Sequence, residues 1–188
     1  MIRDVAVLYV DRLGPYPKLV EHWYDEARDG HTYAGPWPVV AHPPCGPWGR
    51  LSHLSRFQDP DLAPLAVRQV RRFGGVLEHP SGSKLFDALD LPRPGDPPDA
   101  WGGWTIGVNQ VDWGHVAKKP TWLYLVGVEV PRRFPSPGIP THWVCGTRNA
   151  NPAGGSAPPG IKFCSATQRR RTPLAFARWL VALARTAR

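Results

Sequence analysis

The stretch Val39-Val40-Ala41-His42-Pro43-Pro44-Cys45-Gly46-Pro47-Trp48 decides how this chain folds. Two β-branched residues and an alanine read as a short buried strand over 38–41, stopped at once by two prolines. Proline fixes φ and biases the residue before it toward extended geometry. His42-Pro43-Pro44 is therefore a stiff arm that carries the Cys45 thiol beyond the strand end. Val76-Leu77-Glu78-His79-Pro80 has the same form: an apolar strand, an ionisable residue, then proline. Two strand ends thus deliver a nucleophile and a carboxyl group.

Outward from these two segments, a buried strand is expected over 5–10, ending at Asp11, with Gly14-Pro15 as a turn. Residues 17–28 have helical spacing, with Leu19, Trp23 and Ala27 on one face and Asp29-Gly30 as the stop. A helix over 63–73 is closed by Gly74-Gly75, and a short one follows over 83–89. Strands are expected over 105–111 and 121–128, joined through Asp112-Trp113-Gly114. An irregular Pro/Gly-rich insertion fills about 131–165. Thr172 then caps a final helix to about residue 187, with Pro173 at its first position. Strands alternating with helices predict a single α/β domain over 1–188, with a mostly parallel, Rossmann-like sheet and helices on both faces. Ligands of such sheets sit beyond the carboxyl ends of the strands, where Asp11, His42 to Cys45, and Glu78-His79 all fall.

The chain has 188 residues and a net charge of +8, a balance that favours a polyanion and nucleic acid first. Arginines cluster at Arg68, Arg71 and Arg72 and at Arg169-Arg170-Arg171. Several of the nine tryptophans stand beside Gly or Pro and offer faces on which bases stack. No apolar run approaches the ~18 residues of a membrane span, and no secretory leader is recognisable. Three cysteines without such a leader suit a reducing cytoplasm. His142, Cys145 and Cys164 have usable metal-ligand spacing but lack a fourth ligand, so no metal is expected.

These residues resemble the cytosine-C5 DNA methyltransferase family, in a small form of the kind found among phage proteins. Pro43-Pro44-Cys45 is similar to the family's Pro-Cys nucleophile motif, and Glu78 in Leu77-Glu78-His79-Pro80 to the glutamate of its Glu-Asn-Val motif. Residues 111–127 resemble its later block, in which an aromatic-Gly turn, a basic run and an apolar strand ending in Gly follow one another. The resemblance covers roughly 38–128 and implies a methyltransferase-like sheet in a bacterial or phage-infected cytoplasm. It implies Cys45 as the thiol adding to C6 of cytosine and Glu78 as the carboxyl at N3 and the exocyclic amine. The target base would be flipped or single-stranded. S-adenosylmethionine would lie by Asp11 and Gly14. His42, Pro44, His79, Lys118, Lys119, Arg169 and Arg170 would contact the DNA substrate.

The chain also departs from that pattern. Asp11-Arg12-Leu13-Gly14-Pro15-Tyr16 stands where the family has a glycine-rich loop, and Glu78 is followed by His-Pro instead of Asn-Val. Asp11 and Cys45 are about 34 residues apart, room for one helix and one strand, whereas a complete adenosine pocket implies a further βα unit. Two alternatives stay open: a C5-pyrimidine or nucleotide modification without S-adenosylmethionine, and a catalytically degenerate DNA-binding protein.

Overall fold

The computed structural model describes residues 3–49, 52–54, 59–129, 134–144, 160 and 162–188. Cys145 and most of the stretch from 145 to 161 lie outside them, and with them much of the expected insertion.

The chain is a mixed α/β structure around a six-stranded sheet. In chain order its elements are β1 (Ala6–Leu8), β2 (His22–Tyr24), β3 (Val39–Ala41), α1 (Leu62–Phe73), β4 (Gly75–Pro80), α2 (Lys84–Ala88), β5 (Trp104–Asn109) and β6 (Pro120–Val126). They are followed by β7 (His142–Trp143), β8 (Lys162–Phe163), α3 (Ala166–Arg170) and α4 (Leu174–Ala184). The sheet order is β2-β1-β3-β4-β6-β5. Strands β2, β1, β3 and β4 pair in parallel, and β6 runs antiparallel to both β4 and β5. β7 and β8 form a separate parallel pair.

Central parallel strands are covered on both faces and so read as continuous apolar runs. β1 and β3 accordingly have every residue buried. Alternate side chains go to opposite faces. Val7, Val40, Val76, Leu123 and Leu125 pack with Phe176, Leu180 and Ala184 of α4. Ala6, Leu8, Val39, Ala41, Leu77 and Tyr124 pack with Ala66, Val67 and Val70 of α1 and with Leu85 and Phe86 of α2. Each fully buried leucine or phenylalanine contributes roughly 1.5–3 kcal/mol of transfer free energy, which is what holds helices this short on the sheet.

Gly75 joins α1 to β4 at φ +120°, and a Cβ there would lie 2.0 Å from the Val39 carbonyl oxygen. Glycine is what lets β4 come against β3. At the far end of β6, Arg188 donates its backbone N–H to the Gly127 carbonyl at 3.1 Å, and Arg3 bonds the Ala187 carbonyl.

Two expectations need correction. Residues 17–28 are not a helix: a 3-10 turn at Tyr16–Lys18 leads into edge strand β2. The 11–45 interval therefore contains two strands and no α-helix. Arg169 and Arg170 close the separate α3, which Ser165 opens with a capping box to Gln168. Their charges sit at its C-terminal end, where the helix dipole favours cations. Pro173 occupies the cap position of α4, which begins at Leu174 without a side-chain cap.

Candidate active site at the strand ends

The parallel part of the sheet has a topological switch between β1 and β3, since β2 lies on one side of β1 and β3 on the other. Chains leaving such strands diverge and open a crevice at their carboxyl ends. His42 and Cys45 follow β3, Tyr16 follows β1, and Glu78 lies within the last residues of β4. The reversed β6 begins where β4 ends, with Thr121 opposite Pro80. Its approach segment therefore brings Lys118 and Lys119 to the same rim.

Glu78 is the centre of the arrangement. His42 donates from Nδ1 to Glu78 Oε2 at 3.0 Å, and Gln110 Nε2 donates to Oε1 at 3.0 Å. Gln110 also donates to Thr121 Oγ1 at 3.0 Å. On the far side of the imidazole, the Tyr16 hydroxyl lies 2.6 Å from His42 Nε2. The side chains of His42 and Glu78 are only 10% and 14% exposed, so the network is sheltered without being sealed. Burial alone would raise the Glu78 pKa. The His42 hydrogen bond and, in the acid range where Glu78 titrates, the charges of His42, Lys119 and His79 outweigh that and bring it down to about 2. Glu78 is thus an anionic acceptor at neutral pH.

Cys45 is exposed at the turn that opens the Gly46–Trp48 3-10 segment. Loss of hydration is the main cause that raises its thiol pKa, and the Glu78 charge adds to it, while Lys119 and Arg170 pull the other way. The carboxylate, the thiol and two cations therefore share one electrostatic neighbourhood. Lys119 adopts φ +46°, a conformation that costs a side-chain-bearing residue of order 1–3 kcal/mol. Its Nζ donates to the Arg171 carbonyl at 3.2 Å. His115 Nε2 likewise donates to the Gln168 carbonyl at 3.0 Å, while its Nδ1 accepts the Ala117 N–H at 3.0 Å. These bonds moor α3 to the β6 approach, so Arg169, Arg170 and Arg171 flank the mouth.

The remaining expected residues fall elsewhere. Lys118 is exposed, and Lys119 is the lysine whose charge bears on both Cys45 and Glu78. Pro44 is half-buried in the arm before Cys45. His79, expected to touch substrate, is 0% exposed on the opposite face of β4, with neither ring nitrogen bonded. Burial lowers its pKa to about 4, so it stays neutral. Strand alternation is the reason: two adjacent β-residues cannot line the same cleft.

Asp11 spends Oδ1 on the Leu13 N–H at 2.9 Å, and Gly14 N–H bonds the Asp11 carbonyl at 2.8 Å. A Cβ at Gly14 would lie 2.9 Å from that carbonyl oxygen, so Gly14 is required by the tight turn. Beside them opens a cleft of about 510 Å³ lined by Val10, Asp11, Arg12, Asp25, Glu26 and Ala27. That volume lies within the range of small-molecule sites, about 300–1,000 Å³. Asp25 and Glu26 follow the end of β2, the strand that sequence reading replaced with a helix.

Tyr16, Gln110 and Thr121 were not recognised from sequence. A tyrosine in a Gly-Pro turn and a glutamine after an edge strand have no distinguishing pattern until the sheet order is known. Among the described residues, no group of three His, Cys, Asp or Glu could hold a metal, and no helix is long and apolar enough to cross a membrane. No family model and no curated protein matches the chain.

Proposed function

We propose that this chain is a pyrimidine-modifying enzyme of cytosine-C5 methyltransferase-like type, acting on DNA through a covalent Cys45 adduct. The carrying observation is the joint placement of the exposed Cys45 thiol and the ionised Glu78 carboxylate at the carboxyl ends of neighbouring parallel strands, close enough for one charge to bear on the other. The Cys45 sulfur would bond to C6 of the pyrimidine, and the C5–C6 π pair would move to C5 and N3. N3, made more basic by the addition, would take a proton from water in the open crevice, and the Glu78 carboxylate would accept hydrogen bonds from that N3–H and from the exocyclic amine. Lys119 and Arg170 would favour the thiolate and hold the polyanion.

What supports S-adenosylmethionine as the donor is the cleft by Asp11, whose volume of about 510 Å³ is in the small-molecule range and whose carboxylates would suit a ribose diol and a cationic tail. When bound, that donor supplies an electrophilic methyl group for C5. Asp11, Asp25 and Glu26 would hold it, and the Rossmann-like sheet would set it next to the crevice. Removal of the C5 proton and breakage of the C6–sulfur bond would then restore the base and the Cys45 thiol.

The test is incubation with DNA carrying 5-fluorocytosine, with and without methyl-labelled S-adenosylmethionine. A donor-dependent adduct on Cys45 and label transfer to ordinary cytosine are expected. The absence of both removes the proposal. A second reading, modification without this donor, is favoured by the turn after β1, which is a 3-10 segment led by proline and not a glycine loop. It predicts a Cys45 adduct that is independent of the donor.

A further inference from the structure

Strands β7 and β8 have two residues each, too few to bury a core of their own. They are held from outside: the Val116 carbonyl accepts the backbone N–H groups of Thr141 and His142, both at 2.9 Å. Cys164 N–H then ties β8 to the Trp143 carbonyl at 2.9 Å. The same approach to β6 holds α3, since His115 and Lys119 donate to the Gln168 and Arg171 carbonyls. The strand pair and α3 therefore hang together at the mouth of the crevice. The charge of Lys119 bears on both the Cys45 and the Cys164 thiols, which puts the residue after Phe163 in the same neighbourhood. Register decides what the pair presents: Trp143 is opposite Phe163, and His142 is opposite Lys162. Register partners share a face and the next residues take the other. One face thus carries two aromatic side chains next to each other. Trp143 is half-buried, and Phe163 is 44% exposed, so the phenylalanine gives little to folding.

We propose that the shared aromatic face of β7 and β8 is a stacking platform for unpaired DNA bases, with Phe163 and Trp143 receiving the rings and Arg169, Arg170 and Arg171 holding the phosphates. All three arginines are exposed, and no aspartate or glutamate occurs between Glu129 and Arg188. An aromatic face bordered by cations without compensating carboxylates suits a partner that is flat and anionic at once. A nucleic-acid strand has both properties, whereas a second copy of this +8 chain would be repelled. Every base has a π-face, so such stacking tolerates any sequence, but only an unpaired base leaves that face open. The inference rests on the reading of DNA as the partner, adds the strand state to it, and requires no chemistry at Cys45.

Fluorescence anisotropy of the full chain with a labelled oligothymidylate of about twelve residues, and with an abasic strand of equal length, separates rings from phosphates. The native protein should bind the thymidine strand about tenfold or more tighter than the abasic one. Phe163→Ala should weaken the thymidine strand about tenfold, with abasic binding and the salt slope unchanged, because a lost ring releases no counterions. Phe163→Tyr should keep the native affinity, and Phe163→Leu, apolar but not flat, should not. Phe163 is exposed, so these variants keep the fold. The proposal is overturned by equal native affinity for the two strands, by an equal loss on both in Phe163→Ala, or by native affinity in Phe163→Leu. A native dimer that Phe163→Ala dissolves in sedimentation overturns it as well, since the face would then be a self-interface. Adduct formation on 5-fluorocytosine DNA is read separately. The expected stacking without any Cys45 adduct keeps the platform and removes the pyrimidine reading, while adducts formed by Phe163→Ala at native affinity do the reverse.

Discussion

At the scale of single residues, the site balances two acidic groups against each other. The negative charge on Glu78 opposes ionisation of Cys45, while Lys119 promotes it. Glu78→Gln should therefore lower the thiol pKa and speed alkylation of Cys45 by iodoacetamide several-fold at pH 7, and Lys119→Met should slow it. Mass-spectrometric alkylation rates check both directions. The same carboxylate shapes acid stability. Its folded pKa of about 2 lies below its ordinary 4.5, so the stability it adds is complete above 4.5 and is lost as pH falls toward 2. His79, depressed from 6.5 to about 4, costs nothing above pH 6.5 and penalises the fold increasingly down to pH 4. Each effect is on the order of 3 kcal/mol. Urea midpoints should thus begin to fall below pH 6.5. His79→Leu should remove the first limb of that fall, and it should raise neutral-pH stability by deleting two unbonded ring nitrogens.

At the scale of elements, Gly75 admits no replacement. Gly75→Ala would force a methyl group into the Val39 carbonyl at a positive φ, and a loss of more than about 4 kcal/mol is expected, read as missing soluble protein or a collapsed melting transition. Strands β1 and β3 were readable because a buried parallel strand is apolar throughout, β4 and β6 because each contains a buried apolar run, Val76-Leu77 and Leu123 to Val126, and α1 because its stripe and its Gly stop agree. β2 was misread for a definite reason. Leu19, Trp23 and Ala27 recur at helical spacing, but His22-Trp23-Tyr24 are paired with β1, and an edge strand's partly buried side chains leave no clean alternation. Cys45 and Glu78 were visible because proline marks where each strand ends. Tyr16 and Gln110 were not, since their partners come from 26 and 32 residues away and the pairing exists only once the sheet is assembled.

At the scale of the molecule, the +8 charge is gathered in part around one opening, where Lys119, Arg169, Arg170 and Arg171 come together through the mooring of α3. Under the proposed function, DNA affinity should fall steeply with salt. Arg169→Ala with Arg170→Ala should reduce the slope of log affinity against log salt by about 1–2 without abolishing the fold. Filter binding at several ionic strengths measures it. The bonds from Arg188 to Gly127 and from Arg3 to Ala187 lie at the opposite pole of the sheet, where β6 finishes and β1 starts. A biotin or surface linker grafted at Arg188 would accordingly leave the arginine-flanked opening facing the bulk, so that, under the proposed function, immobilised sensors would report on oligonucleotide capture without the support shielding the thiol.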